Sequence, residues 1–278
     1  MIDGWGIASG PNQPGDAISA AATPVMDGFR SAAGYVELEA SSLAVGLPDG
    51  LMGNSEVGHL NIGAGRVVWQ DVVRIDQTAK EGRFPATPNL QASLQHAKDA
   101  NGRLHLLGLV SDGGVHSKNE HLYELLRSAK QLAVPHVYIH FFGDGRDTDP
   151  KSAARYMREL LDKIAELGMG GVAKIATVVG RFVRLVAPLI PPRTLTFSGR
   201  YYAMDRDKRW DRVQVALKGL VSGDGEPTDD PVAKIQERYG QGETDEFLKP
   251  IIVSGDEGRL KGPSPAVTGR WAGGQARH

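Results

Sequence analysis

The chain has no cysteine. Disulfides, thiolate nucleophiles and cysteine metal ligands are therefore excluded, and a reducing compartment is compatible with the sequence. It also has almost no net charge, because 32 Lys and Arg stand against 33 Asp and Glu. No global field draws it to nucleic acid or to an anionic membrane, so any anion site has to be a local cluster of arginines. No apolar run approaches the roughly 20 residues that span a bilayer. The first residues lack the basic-then-apolar order of a secretory signal. These absences lead us to expect a cytoplasmic protein with neither nucleic-acid nor membrane partners. What is present is enough for a substantial core, since 278 residues form one large or two ordinary domains. There is no internal repeat.

From about residue 100 the pattern alternates between apolar runs and amphipathic stretches. Leu104 to Val110 reads as a buried strand followed by the loop Ser111-Asp112-Gly113-Gly114. Lys118 to Leu132 then reads as a helix whose apolar face is Leu122, Leu125, Leu126, Ala129 and Leu132. A second strand, Val137 to Phe142, ends in Gly143-Asp144-Gly145-Arg146-Asp147. A helix over 150–167 opens at Pro150, closes at Gly168 and buries Tyr156, Leu160, Leu161, Ile164 and Leu167. Ile175 to Val179 is a third strand, and Ile251-Ile252-Val253 a fourth. Such alternation predicts an α/β domain with a largely parallel sheet, whose ligands bind outside the carboxyl ends of the strands. The Gly/Asp/Arg/His loops fall at those ends.

The first 70 residues are different, being rich in Gly, Ala and Ser. Asp71 to Gly82 reads as a helix, and a domain boundary is expected near 72–85. Within the first part, Gly53-Asn54-Ser55-Glu56-Val57-Gly58-His59-Leu60-Asn61-Ile62-Gly63-Ala64-Gly65-Arg66 sets one hydroxyl just ahead of a helix. Ser55 there either caps the helix or presents its Oγ beside free backbone N–H groups that suit a phosphate. Asp3, before Gly4-Trp5-Gly6, is either a turn former or a ligand for a hard metal. His105 and His140 read as strand residues, and Trp5, Trp69 and Trp210 as packing residues.

Five ordered blocks carry a more specific signal. They are Met1-Ile2-Asp3-Gly4-Trp5-Gly6, the Ser55 run, Leu109-Val110-Ser111-Asp112-Gly113-Gly114-Val115-His116-Ser117, Gly143-Asp144-Gly145-Arg146-Asp147-Thr148 and the stretch from Gly199-Arg200-Tyr201-Tyr202 to Trp210. Together they resemble the cofactor-independent (2,3-bisphosphoglycerate-independent) phosphoglycerate mutases of the alkaline phosphatase superfamily. The resemblance implies a partial phosphatase-like metal domain, residues 1–72, and an inserted α/β phosphotransferase domain, residues 75–262. It implies interconversion of 3-phosphoglycerate and 2-phosphoglycerate through a phosphoserine on Ser55, in glycolysis and gluconeogenesis. Asp3 and Ser55 would be metal ligands for manganese, and no 2,3-bisphosphoglycerate would be required. His116, Arg146, Asp147, Arg200 and Arg206 would contact the phosphoglycerate, with Asp147 on a hydroxyl oxygen of the glycerate. The family also implies a monomer. This chemistry suits the residue types, because a neutral hydroxyl needs activation and a guanidinium grips a phosphate with two parallel hydrogen bonds.

Three departures from the family pattern stand out. The chain begins almost at Asp3, without an apolar strand before it. Phe182 to Arg200 interrupts the pattern, as a retained intron or a surface insertion, and leaves Gly-Arg at both edges. Of these, Arg200 keeps the family spacing to Arg206 and is preferred over Arg181. After Gly262 the resemblance stops, so residues 263–278 read as an unrelated disordered tail and the chain as truncated at both ends. A phosphatase or other phosphomutase, an inactive phosphoglycerate-binding fragment and a product that does not fold are the competing readings.

Overall fold

The computed structural model describes residues 5, 10, 14–32, 36–99, 102–181, 210–261 and 266–269. Asp3, Arg200, Arg206 and the 182–200 segment lie outside the described residues. The chain forms two compact units, Met1–Val73 and Arg74–His278.

The first unit holds α1 (Ala17–Ala20), α2 (Pro24–Ser31) and α3 (Ser55–Ala64). Its buried apolar cluster is small, consisting of Val45, Leu47 and Val57. Asn61 ties the unit together: its Nδ2 donates to the Val45 carbonyl at 2.8 Å and its Oδ1 accepts from the Val68 N–H at 2.6 Å. The expectation that the tryptophans pack fails, because Trp5, Trp69 and Trp210 are all exposed.

The second unit begins within α4 (Asp71–Lys80) and continues through α5 (Pro88–Asp99), β1 (Arg103–Leu109), α6 (Asn119–Gln131), β2 (His136–Gly143), α7 (Ala153–Glu166) and β3 (Ala173–Gly180). Then come α8 (Trp210–Leu217), β4 (Glu226–Pro227), α9 (Pro231–Gly240), β5 (Ile251–Ile252) and β6 (Ala266–Gly269). The strands form one sheet in the order β4-β5-β3-β2-β1-β6. All neighbouring pairs run parallel except β3 and β5. The expected α/β class and largely parallel sheet are thus present, and the fourth predicted strand is the antiparallel exception.

The central strand β2 reads Val-Tyr-Ile-His-Phe-Phe without polar alternation because both of its faces are covered. Val137, Ile139 and Phe141 join the main core with Leu104, Leu106, Ile175 and Val178. Phe142 joins Leu109, Val179, Ala216 and Leu220 in a second cluster. Helix α7 buries Tyr156, Met157, Leu160 and Ile164, each stabilising by roughly 1.5–3 kcal/mol. Leu161, expected on that face, is exposed instead. The helix starts at Ala153 rather than Pro150 because the buried Asp245 carboxylate takes the Ser152 and Ala153 N–H groups at 2.8 and 2.7 Å.

The expected tail needs correction. Ala266–Gly269 pairs in parallel with His105–Gly108 of β1, so β-branched Val267 and Thr268 extend the sheet at an edge that would otherwise lack a partner.

Candidate functional site

Ser55 is the first residue of α3, and the cap is its neighbour: the Asn54 side chain accepts the Val57 N–H at 3.1 Å. Asn54 thus does the capping that Ser55 was one candidate for, and the serine side chain is left exposed at the helix N-terminus. Gly53 has to be glycine, because a Cβ there would fall on the Ala40 carbonyl oxygen. His59, one turn on, places Nδ1 3.1 Å from Ser55 Oγ and 2.7 Å from the Ser55 carbonyl oxygen. A carbonyl only accepts, so Nδ1 carries the proton. In that tautomer Nδ1 donates to the Ser55 carbonyl and, at longer range, toward Oγ.

In the second unit the parallel strands β1, β2 and β3 bring their carboxyl ends to one edge. The loop after β1 supplies Ser111 and His116, the loop after β2 supplies Asp144, Arg146 and Asp147, and β3 ends at Gly180-Arg181. The hub is Asp144. Its Oδ2 accepts from Ser111 Oγ at 2.6 Å, and its Oδ1 accepts from the Asp147 N–H at 3.1 Å and from Arg181 Nη1 at 2.8 Å. Arg181 Nη1 also donates to Asp147 Oδ2 at 2.7 Å, and His116 Nε2 lies 4.0 Å from that oxygen. Arg181 is only 1% exposed, and its Nε is buried without a hydrogen-bond partner among the described residues. Arg181 is thus a buried guanidinium fixed by two carboxylates, with Nε as a spare donor.

A strap made of residues 245–248 crosses this edge. Gly180 donates its N–H to the Leu248 carbonyl at 2.7 Å, and a Cβ on Gly143 would come within 2.5 Å of the Asp245 carbonyl oxygen. Asp245 is anchored further by the Tyr239 hydroxyl. The strap carries Glu246, whose Oε1 is 3.7 Å from Arg146 Nη1. Burial raises the Glu246 carboxyl above the usual carboxylate range, against the pull of Arg146 and Arg181.

On the other side of the His116 loop, Asp76 of α4 clamps the start of α6. Its carboxylate accepts from Lys118 Nζ and pairs with His121 Nε2, both at 2.6 Å. Burial nevertheless lowers the His121 pKa, outweighing Asp76.

The family model described as "BPG-independent PGAM N-terminus (iPGM_N)" matches residues 75–185 and 191–263. The chain belongs to the 2,3-bisphosphoglycerate-independent phosphoglycerate mutase family. The 2,3-bisphosphoglycerate-independent phosphoglycerate mutase of Caenorhabditis elegans is 48% identical over 263 residues, covering 94% of this chain and 44% of the relative. That of Myxococcus xanthus is 46% identical over 258 residues, covering 93% of this chain and 46% of the relative. Leishmania mexicana phosphoglycerate mutase, solved at low cobalt concentration, superposes with a TM-score of 0.65 at 30% identity, covering 93% of this chain and 45% of that one. The chain spans about half the length of the curated relatives it matches.

Of the residues expected at the mutase site, His116 and Asp147 approach each other at the sheet edge, and Arg146, next to Asp147 in the chain, pairs with Glu246. Arg181, set aside in favour of Arg200, is the arginine that β3 delivers there. Asp144 and Glu246 were not on the expected list. Asp144 sits inside a recognised block, but its role as hub emerges only from the meeting of three loops. Among the described residues, no three His, Asp or Glu side chains gather closely enough to hold a metal ion. None of the described helices is long and apolar enough to cross a membrane.

Proposed function

We propose that this chain carries the phosphoglycerate-binding and phosphoserine-forming parts of a cofactor-independent phosphoglycerate mutase. The observation that carries the reading is the Arg181–Asp144–Asp147 network, which lies beside Arg146 and His116 at the carboxyl edge of the sheet. The two guanidinium groups hold the anionic groups of the substrate, and Asp147 accepts a glycerate hydroxyl. Arg200 and Arg206 add further grips. Residues 1–72 act as the phosphatase-like part, and residues 75–262 as the phosphotransferase part.

In the first step Ser55 Oγ forms a bond to phosphorus as the bond from phosphorus to the glycerate oxygen breaks. The serine proton passes to solvent, and the released glycerate alkoxide takes up a proton from solvent. The glycerate then turns within the pocket, and its other hydroxyl recovers the phosphoryl group from Ser55. Such transfer depends on positioning and charge stabilisation more than on covalent groups of the protein. Manganese is the metal the resemblance suggests, with Asp3 and Ser55 as ligands. Two oxygen ligands do not fix such an ion, so the steps given involve only the chain's own groups. The setting is glycolytic, in the cytoplasm, with the protein acting as a single chain on a small-molecule substrate.

Phosphorus NMR of the chain incubated with 3-phosphoglycerate and manganese tests the reading. The expected result is a growing 2-phosphoglycerate resonance, with phosphoserine on Ser55 after acid quench and neither signal in Ser55→Ala. Release of inorganic phosphate without isomer exchange would replace the mutase with a phosphatase. A Ser55→Ala variant as active as the parent would remove the serine from the mechanism.

A further inference from the structure

Within this anion site, Arg146 and Arg181 face three carboxylates, Asp144, Asp147 and Glu246. An incoming phosphate or sulfate dianion therefore meets a described site that is already acidic in balance. Asp144 and Asp147 are both locked to the Arg181 guanidinium, and Asp144 also accepts the Asp147 backbone N–H. Glu246 differs from them. At 3.7 Å its ion pair with Arg146 is loose, and the Arg146 side chain remains 44% exposed. Its backbone cannot retreat readily, because Gly143 and Gly180 press directly on the strap.

We propose that Glu246 is the counter-ion of Arg146, holding it in place until an anion arrives, and that it takes up a proton from solvent when the anion binds. The inference rests on the phosphoglycerate reading above and extends it to a residue and a linkage that reading does not contain. A carboxylate that burial has already made harder to ionise is the group most readily protonated when a dianion enters beside it. The charged groups around it are Arg146 and Asp144 after β2 and Arg181 at the end of β3. Beyond these lie Asp147 and His116, and Asp245 precedes it on the strap. His116 is a second group able to take up a proton, so the variant comparison and not the total uptake is decisive.

The experiment is calorimetric titration of the full chain with sulfate, whose charge is constant across the range, and with 3-phosphoglycerate. Each titration is run at pH 6.5, 7.5 and 8.5 in two buffers of different ionisation enthalpy. The parent is expected to take up protons on binding, with affinity falling by up to about tenfold per pH unit, the slope of one linked proton. Glu246→Gln should bind both anions more tightly at pH 8.5, with a flatter pH profile and less proton uptake. Equal uptake and equal affinity in parent and Glu246→Gln would overturn the proposal, as would anion binding to the parent without any proton uptake. A parent that binds neither anion would instead sink the phosphoglycerate reading itself. A Glu246→Asp variant, which keeps the charge, checks that the effect is not loss of the strap. It should retain the uptake, and its failure to do so while folded would also count against the proposal.

Discussion

Acid should destabilise the second unit by way of two buried histidines in β1 and β2. His105 and His140 lie on adjacent strands, fully buried, with Nδ1 of the first 2.9 Å from Nε2 of the second. The other nitrogen of His140 meets Thr177 Oγ1 at 2.9 Å, and His105 Nε2 is buried without a hydrogen-bond partner among the described residues. Burial pushes the His105 pKa down from 6.5 to about 4 and that of His140 to about 3, and each would also repel a charge on the other or on a neighbour. The unfolded chain therefore binds more protons than the folded one once the pH drops below 6.5, and stability falls as the pH falls. Between pH 7.5 and 5 each histidine contributes about 2 kcal/mol of loss, or about 4 kcal/mol together. With a urea m-value of about 2 kcal/mol/M, the midpoint moves down by about 2 M. Asp245 and Glu246, whose carboxyls burial raises, oppose this loss as the pH falls, whereas His121, also lowered by burial, adds a loss of the same sign. Urea titrations followed by circular dichroism at pH 7.5, 6.5, 5.5 and 5 measure the slope. The double variant His105→Gln/His140→Gln should be less stable at pH 7.5 and should lose most of the slope. A midpoint independent of pH in the parent, or an unchanged slope in the double variant, would refute the reasoning.

Arg181→Met should destabilise the second unit by about 3–5 kcal/mol, because it leaves Asp144 and Asp147 without their shared cation; thermal unfolding measures this. Asp245→Ala should cost about 1–3 kcal/mol, since the Ser152 and Ala153 N–H groups lose their acceptor at the start of α7. A melting temperature unchanged from the parent would show that water replaces the carboxylate. Gly143→Ala should displace the strap, because its Cβ meets a backbone carbonyl and not a flexible side chain. Faster exchange of the Gly180 amide, which donates to the Leu248 carbonyl and ties the strap to β3, is the expected signature. Asp76→Asn should weaken the hold on Lys118 and His121 and raise the KM for phosphoglycerate more than it lowers kcat. The reverse split would mean that Asp76 matters for more than the position of the His116 loop.

The core of the fold was legible wherever one element could be read on its own. The strand through Val137–Phe142 and the helices around Leu125 and Leu160 carry complete hydrophobic patterns within a few residues. Helices α5, α8 and α9 were not predicted, and α9 buries just Pro231 and Ile235 among its ten residues. The strand Ala266–Gly269 escaped notice because four residues show no period, and its pairing comes from the exposed edge of β1. At the site, Arg146, Asp147 and His116 were legible from local blocks. Glu246 was not, because it reaches the sheet edge from about a hundred residues along the chain, and its only forerunner was the glycine at the end of each of two strands. Arg200, preferred for its spacing to Arg206, lies outside the described residues, whereas Arg181 stands at the sheet edge just after β3.

The most direct test of an arginine-lined phosphoglycerate site is calorimetric titration of the parent chain and of Arg146→Ala with 3-phosphoglycerate. Arg146 is half-exposed, so its loss should leave folding intact. The account predicts saturable one-to-one binding by the parent, weakened about tenfold or more in the variant by the loss of a charge-assisted hydrogen bond, with the melting temperature unchanged. No saturable binding by a folded parent, or equal binding by both proteins, would contradict it.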